Sequence, residues 1–215
     1  MTPHLPRRIT TLAACGLVVV SVTAGCGHAK SPGSAYGAGS GSSSSPGTAT
    51  TAAEELTPTK WGPLSSTDKK LITIVRETSL REITTSKWAL QRSSNPKIKQ
   101  AAQMIIKQHV VLDKKVLALG AKLGMQLPNK PAPDMQVGID RMRTEHGKTF
   151  ENDYVNTLRQ AHGVASILLA TVRADTRNTL VRPFADFAAN FIHNHIVMLE
   201  ATGKVDYTQL PVPES

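Results

Sequence analysis

Residues 95–124 read NPKIKQAAQMIIKQHVVLDKKVLALGAKLG, and this stretch decides the fold. Asn95 offers a side-chain cap and Pro96 supplies the fixed φ that suits a first helical position. Apolar residues then recur at alternating spacings of three and four: Ile98, Ala102, Ile105, His109, Leu112, Val116, Leu119, Leu123. That is the period of one helix face, and Gly124 is its stop. A single ionisable residue, His109, stands in the middle of an otherwise apolar stripe.

Three more segments carry the same period. A first helix is expected from Ser65 or Ser66, with Asp68 in its first turn, to about Ser93; its stripe is Leu71, Val75, Thr78, Glu82, Thr85, Ala89. A third is expected from about Lys148 to Asp175, along Val155, Leu158, His162, Ala165, Leu169, Val172. A fourth is expected from about Leu180 to Thr202, with Pro183 in its first turn and Gly203 as its stop, along Phe184, Ala188, Phe191, His195, Met198. No segment alternates as a strand would. The links between helices one and two and between three and four are short, which makes those pairs antiparallel hairpins. The link between two and three is long, holds Pro128, Pro131 and Pro133, and has room for a short helix near residues 134–142. The fold class expected is all-α: a four-helix bundle, ferritin-like, with one long crossover between helices two and three. A simple up-down-up-down bundle is the alternative.

Each stripe carries one ionisable residue near its middle, and midpoints of antiparallel helices share a layer. Glu82, His109, His162 and His195 are therefore expected to converge. Burying four such groups is costly unless they pair or bind something. Imidazole and carboxylate are ligands for Cu, Zn or Fe, and three His with one Glu complete a four-coordinate site for one transition-metal ion. Met198, three residues after His195, could add a soft sulfur. Tyr154, two turns before His162, could donate a hydrogen bond, and Asp113, one turn after His109, could support that ring from behind. A metal-free network of the same residues, fixing helix register, is the rival reading. His193 should point away from His195, and His146 should lie on the surface.

Di-iron sites of ferritin-like bundles use Glu-x-x-His. The residues three before His109, His162 and His195 are Ile106, Arg159 and Ile192, so that signature is missing. There is also no HExxH, no phosphate-binding Gly-rich loop and no GxSxG. An enzyme would need a mononuclear site with an open position; no catalytic residue stands out.

The chain begins differently. Arg7 and Arg8 precede an apolar run from Ile9 to Ala24, and Thr23-Ala24-Gly25-Cys26 resembles a lipobox, the site of lipidation in exported bacterial proteins. Residues 1–25 are expected to be a lipoprotein signal peptide, with Cys26 acylated and holding the protein to the outer face of the cell membrane. Cleavage removes Cys15, so the remaining chain has no pair for a disulfide. Plain secretion is the alternative. Residues 26–60 are mostly Gly, Ser, Ala, Thr and Pro, a tether with a typical reach of about 30 Å. The bundle is expected over residues 61–204 and a tail over 205–215.

The chain has 215 residues, 4% aromatics and a formal charge of +9. The charge would suit an anionic membrane, wall or other envelope surface. No dense basic run with interleaved aromatics and no helix-turn-helix or finger pattern is present, so no nucleic acid is expected as partner.

With these residues in hand, the chain resembles the DUF4142 family of exported ferritin-like bundles of unknown function. Leu80-Arg81-Glu82-Ile83 and Trp88-Ala89 look like its first helix. Ser94-Asn95-Pro96, Met104 and His109 look like its second, and Leu127-Pro128 its link. Phe150-Glu151-Asn152-Asp153-Tyr154 with His162 matches its third, and His195-Ile196-Val197-Met198 its fourth. Gln108 stands where the family has Asp, and the stretch Phe187 to Ile192 ahead of His195 lacks the Pro that the family often has there. The resemblance implies the fold and export. It implies no activity.

Overall fold

The computed structural model describes residues 55–210. The signal peptide, Cys26 and most of the tether lie outside the described residues, as do residues 211–215. Among the described residues the protein is all-helical, with five α-helices, a final 3₁₀ turn and no strand beyond two isolated bridges.

The helices begin and end where local chemistry dictates. α1 (Ser66–Arg92) opens on a reciprocal capping box: Ser65 Oγ accepts from the Asp68 amide at 3.0 Å, and Asp68 Oδ2 accepts from the Ser65 amide at 3.1 Å. α2 (Pro96–Lys122) opens on Asn95, whose side chain accepts from the amides of Lys97 and Ile98. Gly124, at φ +70°, turns the chain out of it. α3 (Pro133–Thr144) is the short helix of the long link. α4 (Gly147–Asp175) and α5 (Val181–Glu200) complete the set. Asn178 Oδ1 accepts from the amides of Leu180 and Val181, two donors that a helix start leaves open.

The core has two apolar halves. One joins the N-terminal half of α1 (Leu71, Ile72, Val75) and the C-terminal half of α2 (Leu112, Val116, Leu119) to the end of α4 (Leu169, Val172) and the start of α5 (Phe184, Ala188). The other joins the opposite halves, through Ala89, Ile98, Ile105, Phe150, Tyr154, Leu158 and Leu199. These groupings fix the directions. α1 and α5 run one way, α2 and α4 the other, and the packed neighbours (α1 with α2, α4 with α5, α2 with α5, α1 with α4) are all antiparallel. The link from α2 to α4 must therefore return along the whole length of the molecule. α3 rides on α1 during this return, with Met142 buried in the second half of the core. Arg92, at the end of α1, holds the end of α3 by donating to the carbonyls of Met142, Arg143 and Glu145.

Packing starts before residue 61, the boundary expected from composition. Thr57 and Leu64 exchange backbone hydrogen bonds, and Trp61 accepts from the Thr179 amide through its carbonyl. Gly62 sits at φ +98°, with the Arg177 carbonyl where a Cβ would fall, so only glycine fits this contact. At the other terminus Asn156 bonds Lys204 and Asp206, which pins the start of the expected tail to α4. No helix among the described residues is long and apolar enough to cross a membrane.

Two stripes differ in phase from the sequence reading. In α1 the buried face is wider than the expected stripe: Ser79 and Ser86 join Val75, Glu82, Thr85 and Ala89, and Thr78 is only half-buried. In α5 Leu199, not Met198, occupies the core after His195. The reason in both is that two registers of the three-four spacing fit the sequence, and contact with the other helices selects one.

Candidate metal centre

Glu82, His109 and His162 come from the middles of α1, α2 and α4 and His195 from the second half of α5, one from each long helix. All are buried, with exposures of 0%, 3%, 3% and 1%. Each offers one ligand atom, and these atoms lie within 4.8 Å of one another. The layer separates the two apolar halves of the core. The α1–α2 hairpin supplies Glu82 and His109; the α4–α5 hairpin supplies His162 and His195.

Hydrogen-bond partners fix which nitrogens carry protons. His162 Nδ1 lies 2.7 Å from the Leu158 carbonyl, which can only accept, so Nδ1 is the protonated nitrogen and Nε2 carries a lone pair. That lone pair faces His195 Nδ1 at 2.8 Å. His195 therefore donates through Nδ1, and its own Nε2 is left as a buried lone pair without a partner. On the other hairpin, Ser79 Oγ donates to the Val75 carbonyl at 2.8 Å and lies 3.1 Å from His109 Nδ1. With its proton so placed, Ser79 accepts from Nδ1–H and leaves the lone pair on His109 Nε2. This nitrogen is 3.0 Å from Glu82 Oε2, close but not aligned as a hydrogen bond, and both atoms lack a hydrogen-bond partner. His162 Nε2 is 3.6 Å from the same oxygen.

The result is a pocket of lone pairs: Glu82 Oε2, His109 Nε2 and His195 Nε2, buried and unpaired. Such an arrangement wants a positive charge at its centre, either a proton on a ring nitrogen or a metal ion. The electrostatics agree. Burial alone would raise the Glu82 carboxyl, but the imidazoles of His162 and His109 that face it and the Arg81 guanidinium at 3.3 Å outweigh it and hold it well below the usual carboxylate range. Burial, reinforced by its histidine neighbours, pushes His195 down to about 3. His162 is also lowered, burial outweighing the attraction of Glu82. Ionised carboxylate and neutral imidazole are the forms that ligate metals.

Three expected supporting roles are not those the structure gives. Asp113 does not touch His109; it pairs with Arg76 at 2.6 Å on the flank of α1 and α2, and Ser79 takes the place behind His109. Tyr154 does not reach His162; its hydroxyl lies 2.8 Å from Ser86 Oγ. Met198 is half-buried and does not line the cavity beside the cluster. His193 and His146 are exposed. Sequence reasoning missed Ser79 and Arg81. The spacing Ser79, Glu82, Ser86 along one face was a signal for the first; nothing in the pattern marked Arg81, which is buried beside Glu82.

Known proteins add one finding. The family model described as a domain of unknown function (DUF4142) matches residues 53–202, most of the chain and all five helices, and the chain belongs to that family. No curated protein and no solved structure matches it.

Proposed function

We propose, with membership of this family as the premise, that the chain is a cell-envelope lipoprotein whose bundle is a metal-binding or metal-sensing module. The observation that carries this reading is the group of unpaired lone pairs on Glu82, His109 and His195, with His162 beside them. Three imidazoles and one carboxylate suit a single Zn, Cu or Fe ion in four-coordinate geometry. A cation held by all four would replace the His162–His195 hydrogen bond. The bundle belongs with ferritin-like folds on this reading, since its two hairpins are joined by one full-length return. Lipidation of Cys26 would hold the module at the outer face of the membrane, with the tether spacing it toward wall components.

The test is the metal content of residues 50–215, purified without an affinity tag and read by plasma mass spectrometry beside a His109→Ala/His195→Ala variant. Near-stoichiometric metal in the parent and none in the variant is the expected result. No metal after incubation with Zn, Cu, Fe and Ni would sink the reading. Membrane retention, lost in Cys26→Ser, tests the anchor.

A second reading is favoured by the 2.8 Å contact between His162 and His195, a hydrogen bond complete without any ion. There the layer is a polar register device of a structural or interaction domain, with a proton on His109 Nε2 facing Glu82.

A further inference from the structure

α2 packs against α1 and α5, which sets it diagonal to α4 and leaves it a full-length outer face. Its 27 residues span about 40 Å. It carries six lysines, Lys97, Lys99, Lys107, Lys114, Lys115 and Lys122, and all six are exposed. Its single acid, Asp113, is taken by Arg76 of α1 at 2.6 Å. Among the described residues none of the six lysines has an ion-pair partner. The opposite side differs: residues 133–175, which hold α3 and α4, carry six acids against five lysines and arginines. An ordinary solvated helix face laces lysines with acids one turn away, and α2 does not.

The same face also exposes apolar side chains. Met104, Val110, Val111 and Leu117 are 36%, 48%, 42% and 42% exposed. They interleave with the lysines at three-four spacing: Lys107, Val110, Lys114, Leu117 in one row, and Val111, Lys115, Ala118, Lys122 in the next. A soluble polyanion would use the ammonium groups alone and leave the apolar side chains in water. A membrane surface uses both. Phosphate headgroups meet the ammonium groups, and the apolar side chains enter the boundary beneath them, with the lysine stems lying alongside.

We infer that the outer face of α2 docks the bundle, lying flat, on a membrane surface of anionic phospholipid headgroups. In this pose α3 and α4 face away from the surface. So does the cavity of about 190 Å³ beside the Glu/His layer, whose outer lining includes Ile74 and Thr78 of α1 and Ala161 and Val164 of α4. The inference needs neither bound metal nor an acyl chain on Cys26.

The test uses residues 27–215, which lack Cys26 and so any acyl chain on it, in co-sedimentation with two kinds of vesicle. One kind is phosphatidylcholine alone; the other mixes phosphatidylglycerol into it at roughly one part in three. Saturable binding to the anionic vesicles only, released by about 0.5 M NaCl, is expected. Lys107→Glu/Lys114→Glu should weaken it at least about 25-fold, since each lysine at an anionic surface contributes roughly fivefold. Lys70→Glu/Lys148→Glu makes the same change in net charge at exposed positions of α1 and α4 and should keep the parent's affinity. Val110→Ser/Leu117→Ser, which leaves every charge in place, should weaken vesicle binding about tenfold or more. All the substituted positions are exposed, so helicity and melting temperature should match the parent.

No binding to anionic vesicles, equal binding to both kinds, or binding indifferent to salt would overturn the inference. So would equal loss in the two lysine pairs, or full binding by the Val110/Leu117 variant. Retention of the parent on soluble polyphosphate without retention on vesicles would overturn it in favour of a polyanion partner. Metal is absent from every arm, so failure here leaves the metal reading standing, and a protein that takes no metal can still dock.

Discussion

Two buried glutamates teach opposite lessons. Glu151, near the start of α4, accepts from Ser93 Oγ at 2.6 Å and from the amides of Ser94 and Asn95 at 3.1 and 3.3 Å, with Lys204 at 3.8 Å from its other oxygen. It ties the turn between α1 and α2 to α4 and to the end of the bundle, and its donors are backbone amides and a hydroxyl of that turn. Glu82 has no hydroxyl and no backbone amide against it. Its neighbours are a guanidinium and ring nitrogens that carry lone pairs. A carboxylate with both oxygens met by donors is a structural clamp; one whose second oxygen meets only ring nitrogens has room for a further positive charge.

The sharpest way to break this contrast is to remove each acid in turn. Glu82→Ala should lower metal affinity about 100-fold or more, since even supporting groups behind a ligand cost 10–100-fold. It should leave the metal-free protein folded, at the cost of a buried Arg81 guanidinium without its partner. Glu151→Ala should do the reverse: a loss of about 2–3 kcal/mol in denaturant unfolding, from the Ser94 amide and the Ser93 hydroxyl left without their acceptor, with metal affinity unchanged. A Glu151→Ala protein that keeps its stability, or a Glu82→Ala protein that keeps its metal, would erase the distinction.

Ser79→Ala sharpens it further. Losing the acceptor behind His109 Nδ1 should weaken metal binding about tenfold and cost less than about 1 kcal/mol in the metal-free protein. Tyr154→Phe should cost about 1 kcal/mol, the worth of its bond to Ser86, and leave metal affinity untouched.

The smallest effect expected is on pH dependence. The Ser93 hydroxyl, with the two amides, lowers the Glu151 carboxyl below its ordinary 4.5. A carboxylate lowered in the folded state contributes stability that is fully present above its unfolded value. That contribution is lost as pH falls from about 4.5 through the folded value. Comparing urea midpoints of the parent and Glu151→Gln at pH 7, 5 and 3.5 should show the gap narrowing only below about 4.5. A gap that is constant with pH would mean Glu151 acts by packing, not by charge.

Much of this was legible beforehand. The four long helices and the four residues of the polar layer follow from a three-four period with one ionisable residue per stripe, and the start of α2 follows from Asn95-Pro96. The exact rotation of each helix did not. Thr78 and Ser79 are adjacent, as are Met198 and Leu199, and a stripe can pass through either; contact with the partner helices decides. The partners of Asp113 and Tyr154 were misjudged for a related reason. Both lie within two turns of a histidine, yet each answers to the facing helix instead: Asp113 to Arg76 on the flank of the hairpin, Tyr154 to Ser86 inside the core. The cavity was not legible at all, because a void records how side chains fail to meet across helices, and no single stripe contains that.

The even division of the polar layer between the two hairpins bears on how the molecule would come apart in time. Each hairpin can form from contacts near in sequence, but neither holds more than two of the four ligand atoms. An ion bridging both can bind fully only after they dock, late on the folding route. Contacts made after the transition state do not speed its formation; they slow escape from the native state. Metal held by this layer would therefore leave the folding rate almost unchanged and lengthen the lifetime of the folded protein, acting as a latch rather than a nucleus.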